Sequence, residues 1–423
     1  MDNGPREIRA LDGLRAMAAL SIVVFHTLHA VDVQSNPTRQ FMGNVFWYLP
    51  TGVHLFFVLS GFLLFLPFAR AILLAHPLPG LRRFYYRRAL RIMPAYLVVL
   101  ALLAWLPTAD HIIPISGASI LTHIFMIHDM FPDFNREMEG PFWTLAVEAQ
   151  FYLLLPLMAA ALAKVVGGSR SLKRLLCGIA LLLALALGLR ALDIGLVGGM
   201  PAHTTSGFAR SFVLITMGMQ GKYLEVFMMG MLASVVYVVT VEFGNMSTNA
   251  RRRLGWAMLA MWCVTTVLAI PSIRYGGTIF SPGESWGVGV LIYPLVVGVS
   301  YASLLLAIIW GSLVIRWFFE TPPLRFTGHI SYSLYLWHVP VLLAMIPFFA
   351  GVPLLLRLVC TVPVAYLSYQ LVERPFLVRR RSTGSAELRA PAPIPVPVLS
   401  NNSLPTAMLR KSASITDRQR KTG

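Results

Sequence analysis

The stretch that decides the fold is LDGLRAMAALSIVVFHT, residues 11–27. It approaches the length of about 20 mostly apolar residues that a helix needs to cross a hydrocarbon core about 30 Å thick. Yet it contains ionisable side chains within the apolar run, among them Arg15 and His26. Since the stretch also lacks the small-residue exit of a cleavable signal peptide, we expect it to remain in the membrane as a helix.

Nine further apolar runs follow along the 423 residues. Hydrophobic residues make up 57% of the chain and charged residues only 13%, against about 25% charged in an average soluble domain. This composition excludes an ordinary soluble enzyme. We predict an all-α, polytopic integral membrane bundle with about ten transmembrane helices. The predicted spans lie near residues 11–30, 47–69, 90–107, 142–163, 173–192, 223–241, 254–271, 286–314, 330–349 and 352–372.

The basic residues are distributed as in a membrane protein. The chain has 35 Lys and Arg against 18 Asp and Glu, a net charge of +17, which in a soluble protein would suggest a nucleic-acid partner. Membrane proteins instead concentrate Lys and Arg in their cytoplasmic loops, and here these residues fall mainly in alternate connecting segments. We therefore predict a lipid bilayer as the partner, no nucleic acid, and both termini on the cytoplasmic side.

The composition changes near residue 379, where a basic triplet is followed by a proline-containing polar stretch. We predict a membrane domain over residues 1–378 and a disordered, basic, cytoplasmic tail over residues 379–423. The apolar piece at residues 112–127 is interrupted by proline and glycine, so we expect an interfacial or re-entrant segment there, with an eleventh span as the alternative.

Two ionisable side chains are predicted at similar depth from distant parts of the chain. Ionisable groups in a membrane usually face the bundle interior or a cavity. His26 shares a helix face with Arg15, and Glu148 in GPFWTLAVEAQFYLLLP, residues 140–156, lies about 10 Å below the outer surface. A carboxylate that binds one imidazole nitrogen makes the other a better base. We predict a functional pair of His26 and Glu148, the alternative being packing against other neighbours.

The densest cationic stretch is RRFYYRRALRIMP, residues 82–94. Arg88 and Arg91 are three positions apart and therefore neighbours on one helix face. Because arginine binds phosphate oxygens with two parallel hydrogen bonds, this pair is suited to a phosphate-bearing cytosolic substrate. The alternative is that both residues only orient the protein in the membrane.

Other polar positions are assigned to structure. We expect Ser60, Gly61 and His338 to serve packing or hydrogen bonding inside the bundle, with the small pair allowing close helix approach. The loop histidines match no specific metal-site spacing, so we predict no metal; they are His111, His123 and His128. The three cysteines lie in apolar runs without a CxxC pair, which argues against disulfides and zinc.

Five segments in order resemble the acyltransferase 3 family of integral membrane O-acyltransferases. The resemblance runs from about residue 8 to residue 376, with the family's Arg-x10-His as Arg15 and His26 and its Arg-x-x-Arg as Arg88 and Arg91. The segments are LDGLRAMAALSIVVFH (11–26), GVHLFFVLSGFLL (52–64), RRALRIMPAYL (87–97), FWTLAVEAQFYLLLP (142–156), and GHISYSLYLWHVPV (328–341) followed by VERPF (372–376).

The chain departs from the family pattern at two positions and lacks a frequent fusion. His54 stands where the family usually has Asp, and Ala149 where it has a second Glu, so the carboxylate role is assigned to Glu148 alone. Many members carry a fused soluble esterase-like domain, whereas this chain has only the predicted tail. We therefore expect it to group with the stand-alone members. The richness in Ala, Leu and Arg suggests a bacterial source, and hence a bacterial inner membrane.

The resemblance implies transfer of an acyl group, commonly acetyl, from acyl-CoA to a hydroxyl of a sugar, glycolipid, cell-envelope polysaccharide or macrolide-like acceptor. His26, oriented by Glu148, would be the general base, and Arg88 and Arg91 with Arg15 would hold the CoA phosphates. No bound cofactor is implied, because acyl-CoA is a co-substrate. Direct transfer and an acyl-enzyme both stay open, and a transporter or flippase is the alternative function.

Overall fold

We describe a computed structural model of the chain. The residues described are 8–29, 48–105, 115–131, 134, 142–168, 170–196, 215–216, 222–242, 246–275, 288–310, 313–345 and 354–378. The predicted tail at residues 379–423 and His111 lie outside these ranges. Every regular element within them is a helix, in agreement with the predicted all-α class.

Thirteen α-helices, numbered along the chain, account for most of the described residues. They are α1 (Ala10–His29), α2 (Gly52–Leu74), α3 (Leu81–Trp105), α4 (Gly117–Ile124), α5 (Phe142–Val166), α6 (Leu172–Leu196), α7 (Leu224–Tyr237), α8 (Thr248–Tyr275), α9 (Val288–Trp310), α10 (Leu313–Phe319), α11 (Pro322–His329), α12 (Ser331–Met345) and α13 (Leu354–Ser368). Short 3₁₀ turns cover Leu49–Thr51 and His128–Met130, and π-helical turns extend α7 and α13.

Seven stretches of the described chain are long and apolar enough to cross a membrane. They belong to α1, α2, α3, α5, α6, α7 and α9, and each coincides with one of the ten predicted spans. The other three predicted spans coincide with α8, α12 and α13, of which α12 and α13 have 15 residues each. The chain is a multi-pass membrane protein, and the count of ten and the side of the termini stay predictions.

The short helix α4 occupies the segment for which we expected an interfacial or re-entrant piece. It has 8 residues, and its N-terminus is capped by the Ser116 hydroxyl, which accepts a hydrogen bond from the Ser119 amide. Eight residues rise only about 12 Å, much less than a hydrocarbon core. The described part of this segment therefore does not form an eleventh span.

The central contact of the bundle joins α2 to α7, and glycine permits it. A Cβ atom added at Gly61 of α2 would lie 2.1 Å from the Phe227 carbonyl oxygen, and one at Gly230 of α7 would lie 2.1 Å from that of Val58. The two backbones thus approach more closely than any side chain would allow, as in small-residue membrane interfaces. The packing role predicted for Gly61 is confirmed.

Helix α1 lies where several helices meet. It packs against α2, α11 and α12, and α12 also packs against α3 and α13. Its apolar face is fully buried, as at Leu14 and Ile22, whereas Arg15 and His26 are partly exposed. This arrangement brings the ionisable residues of α1 to the helices that carry the other candidate site residues.

Candidate active site

A cleft with an empty volume of about 790 Å³ opens between α1, α2, α3, α5 and α12. Its walls combine apolar side chains of α2 with a polar set from all five helices. The charged residues lining it are Arg15, Arg88, Arg91 and Glu148. Three guanidinium groups therefore face one carboxylate, and the cleft attracts anions.

Aromatic rings hold two of the arginines. The guanidinium carbon of Arg88 lies 5.9 Å from the centroid of the Tyr152 ring, and that of Arg91 lies 5.9 Å from the centroid of the Tyr332 ring. Such contacts orient a guanidinium group while leaving its N–H groups available. The Nε of Arg88 is buried and has no hydrogen-bond partner among the described residues. This donor is suited to an anionic ligand.

Arg15 completes the cationic side of the cleft from α1. Its only described ion pair is with Asp12, at 3.9 Å between Arg15 Nη1 and Asp12 Oδ1, and a third of its side chain is exposed. An exposed pair at this distance contributes little attraction. Most of the capacity of Arg15 to bind an anion is therefore retained.

Glu148 is fixed from two sides. The hydroxyl groups of Ser60 and Tyr152 both donate hydrogen bonds to its Oε1 atom. Tyr152 lies four residues further along the same helix, so one helix face supplies both the carboxylate and one of its donors. The second oxygen, Oε2, makes no hydrogen bond within the described chain and can accept one from a ligand.

His26 bonds to another histidine. Its Nδ1 lies 3.0 Å from the Ile22 carbonyl oxygen and 3.2 Å from Nε2 of His338. The two rings are 4.9 Å apart and tilted by 56°. His338 is completely buried, and its Nδ1 lies 2.5 Å from the Tyr335 carbonyl oxygen.

Tyr335 connects this histidine pair to the cleft. Its side chain lines the cleft, and its ring centroid lies 5.6 Å from that of His338. Its hydroxyl oxygen lies 2.5 Å from that of Thr144, which is one helical turn from Glu148 on α5. The cleft and the histidine pair are therefore adjacent regions joined by one side chain.

The predicted site residues thus form two groups. Arg15, Arg88, Arg91 and Glu148 share the cleft, as the predicted phosphate-binding role of the arginines requires. His26 does not line it, and its hydrogen bond goes to His338 while those of Glu148 go to Ser60 and Tyr152. Among the described contacts no hydrogen bond joins His26 to Glu148: the carboxylate bonds Ser60 and Tyr152, and His26 contacts His338.

Several site residues were not identified from the sequence. Ser60 and His338 were predicted to pack or hydrogen-bond inside the bundle, which they do, but their partners are the site residues Glu148 and His26. Tyr152 and Thr144 were not considered, although each lies four positions from Glu148 and therefore on its helix face. This i, i+4 spacing was the available signal.

His123 and His128 belong to a separate polar cluster. The rings of His123 and His128 stack at 4.0 Å with an angle of 4°. Beside them, Asp129 accepts hydrogen bonds from Lys222 at 2.6 Å and from Gln150 at 2.8 Å. No group of three or more metal-binding side chains occurs within the ranges described above.

The titration of His128 reflects this environment. Burial, and then the nearby His123 and Lys222, lower the pKa of His128 to about 3. Only 1% of the residue is exposed, so a proton on the ring would be poorly solvated. The His128 ring is therefore neutral at physiological pH.

Comparison with known proteins agrees with the resemblance seen in the sequence. The chain is 26% identical over 397 residues to the "Putative peptidoglycan O-acetyltransferase YrhL" of Bacillus subtilis, covering 88% of this chain and 55% of the relative. It is 24% identical over 402 residues to the "Peptidoglycan O-acetyltransferase OatA" of Listeria monocytogenes, covering 87% and 55%. The chain thus spans little more than half the length of these relatives, and no solved structure matches it.

The family assignment rests on nearly the whole chain. A family model described as an acyltransferase domain matches residues 8–372, a range that includes α1 to α13 and every residue lining the cleft. Both the cleft and the histidine pair lie within the matched region. This chain therefore belongs to the acyltransferase 3 family.

Proposed function

We propose that the protein is a membrane O-acyltransferase that moves an acyl group, most simply acetyl, from acyl-CoA to a hydroxyl of a sugar-bearing acceptor. One observation carries this proposal: three arginines from two helices line a cleft that contains a single carboxylate. A binding site with this charge balance suits a polyanionic substrate. Membership of an acyltransferase family supports a CoA thioester as that substrate.

The donor phosphates are assigned to the arginines. Arg88 and Arg91 lie against aromatic rings, Nε of Arg88 has no hydrogen-bond partner among the described residues, and Arg15 lines the cleft from α1. Arg15 lies five residues, about 8 Å, from the beginning of α1, which we place at the cytoplasmic surface. Phosphates bound there would leave the narrow pantetheine arm to carry the thioester along the cleft towards Tyr335.

The proposed reaction transfers the acyl group from the thioester to the acceptor hydroxyl. His26 removes the proton from the acceptor hydroxyl as its oxygen attacks the thioester carbonyl carbon, and the carbon–sulfur bond then breaks. The proton held by His26 passes to the CoA thiolate, so an ester and free CoA are the two products. General base catalysis of this kind typically contributes about 10² to 10⁴ in rate.

Glu148 contributes to the proposed site as a fixed acceptor. Ser60 and Tyr152 donate hydrogen bonds to Oε1 and so fix the orientation of the carboxylate. Oε2 can then accept a hydrogen bond from a substrate hydroxyl or amide. We keep Glu148 as a catalytic residue on this basis. A direct bond from Glu148 to His26 is not part of the proposal.

The acceptor is proposed as a saccharide of the cell envelope. Two relatives have names that specify peptidoglycan O-acetylation, which supports a sugar hydroxyl at the surface of the bacterial cell membrane. A glycolipid or a macrolide-like compound would present the same reacting group. The test below therefore uses a panel of acceptors.

The experiment is thiol release by the purified protein in detergent, given acetyl-CoA with saccharide, glycolipid and macrolide-like acceptors. We expect free CoA to appear only when a suitable acceptor is present. The same protein in liposomes tests the transporter alternative. Movement of an acceptor across the vesicle membrane, with no CoA released by any donor and acceptor pair, would replace the proposed function with transport.

A further inference from the structure

Two backbone carbonyl groups determine which nitrogen of each histidine carries a proton. A carbonyl oxygen can only accept a hydrogen bond. Nδ1 of His338 contacts the Tyr335 carbonyl at 2.5 Å, and Nδ1 of His26 contacts the Ile22 carbonyl at 3.0 Å. Both Nδ1 atoms are therefore donors, and in a neutral imidazole the other nitrogen then carries a lone pair.

The contact between the two rings follows from these assignments. With its proton on Nδ1, neutral His338 presents the lone pair of Nε2 to His26 Nδ1, 3.2 Å away. The Nδ1–H group of His26 is thus shared between His338 Nε2 and the Ile22 carbonyl, a three-centre arrangement common in helices. Nε2 of His26 carries the lone pair that a base requires.

The two rings also differ in their exposure to solvent. His26 is partly exposed, whereas His338 is completely buried. A buried ring that contacts the base through one nitrogen and its own helix through the other can orient the base without touching the substrate. Second partners of this kind usually fix the tautomer of a functional histidine.

We propose that His338 is the positioning residue of His26: it accepts the Nδ1–H hydrogen bond, so that Nε2 of His26 is the nitrogen that receives the acceptor's proton. When His26 becomes positively charged, this hydrogen bond becomes charge-assisted and stronger. His338 therefore performs the task that the sequence suggested for Glu148. This inference rests on the proposed function, because it assigns the base of that reaction.

Two substitutions separate the two hydrogen bonds of His338. In His338→Gln the amide oxygen can take the place of Nε2 and accept from His26, whereas in His338→Asn the shorter amide can take the place of Nδ1 and donate to Tyr335. We expect His338→Asn to lower kcat about 10- to 100-fold and His338→Gln to lower it much less. The KM for acetyl-CoA should stay unchanged in both, since His338 does not line the cleft.

A double-mutant cycle then tests whether His338 acts through His26. In a His26→Ala background, His338→Asn should cause no further loss of rate, because residues that act as one unit are not additive. Thermal unfolding in detergent identifies variants that fail to fold. Activity of His338→Asn equal to or above that of folded His338→Gln, or full additivity in the cycle, would overturn the positioning role. Absence of acceptor-dependent CoA release by the wild type would overturn the proposed function, and this role with it.

Discussion

Two histidine pairs in the described part of the chain differ in the geometry of their ring contacts. In His26 and His338 a nitrogen of one ring faces a nitrogen of the other at 3.2 Å, with the rings tilted by 56°. In His123 and His128 the rings lie flat against each other at 4.0 Å, 4° from parallel. The first contact is directional and specifies a tautomer, whereas the second is a packing contact between ring faces.

This difference shows why burial and residue type alone do not identify a functional histidine. His128 and His338 are both buried, yet only His338 offers a nitrogen to a partly exposed partner. Both ring nitrogens of His128 are buried without hydrogen-bond partners in the described residues. We therefore assign a catalytic role to the pair of His26 and His338, and a structural role to the pair of His123 and His128.

The largest effect should come from removing the proposed base. We expect His26→Ala to lower kcat by about 10² to 10⁴, and His128→Phe, which preserves an aromatic face against His123, to leave kcat close to that of the wild type. Steady-state thiol release with both substrates saturating measures this contrast. Equal losses in the two variants, with both folded, would remove the functional distinction between the pairs.

The donor site gives the next effect. The double substitution Arg88→Ala and Arg91→Ala should raise the KM for acetyl-CoA at least about 10- to 100-fold, because the loss of even one charge-assisted hydrogen bond costs about 1.5 to 3 kcal/mol. Arg82→Ala is the matched control, since Arg82 is exposed on the same helix and does not line the cleft. A KM that does not change in the double variant would place the donor phosphates elsewhere.

A smaller effect is expected at the carboxylate. In Glu148→Gln the amide oxygen can still accept from Ser60 and Tyr152, so the fold should persist, but one acceptor and one negative charge are lost. We expect kcat to fall about 5- to 10-fold, the value of one hydrogen bond. The KM for acetyl-CoA should not rise, because the cleft becomes more positive. A rise in KM with unchanged kcat would instead place Glu148 in the donor site.

The smallest expected effect is on the stability of the protein and concerns the pair of His123 and His128. The pKa of His128 is about 3 in the folded protein against 6.5 in a model peptide, so between these values the unfolded chain binds a proton that the folded chain does not. Stability therefore falls as pH decreases, by about 1 kcal/mol between pH 7.5 and 5.5. Thermal unfolding should show this loss reduced in His128→Phe, and an identical pH dependence in both proteins would contradict the assignment.

The sequence was sufficient for the membrane fold because long apolar runs have few alternatives. Seven of the ten predicted spans coincide with helices that meet the length and hydropathy requirements. Gly61 was also placed correctly, since a small residue within a span usually marks a close helix contact. Arg88 and Arg91 line the same cleft, as their i, i+3 spacing suggested.

The pairing inside the site was not predictable in the same way. His26 and Glu148 were matched by depth along their helices, but depth does not specify rotation around the bundle. His26 instead contacts His338, from a helix more than 300 positions away in the chain. Similarly, Ser60 contacts Glu148 only because α2 packs against α5.

The most direct measurement of the proposed reaction follows both products in one preparation. Purified protein receives acetyl-CoA labelled in the acetyl group together with an acceptor that supports thiol release, and labelled ester and free CoA are counted over time. The proposed acyl transfer predicts that labelled ester and free CoA accumulate in equal amounts, and only when the acceptor is present. CoA release without label in the acceptor, or acceptor movement without either product, would contradict the proposed O-acyltransferase.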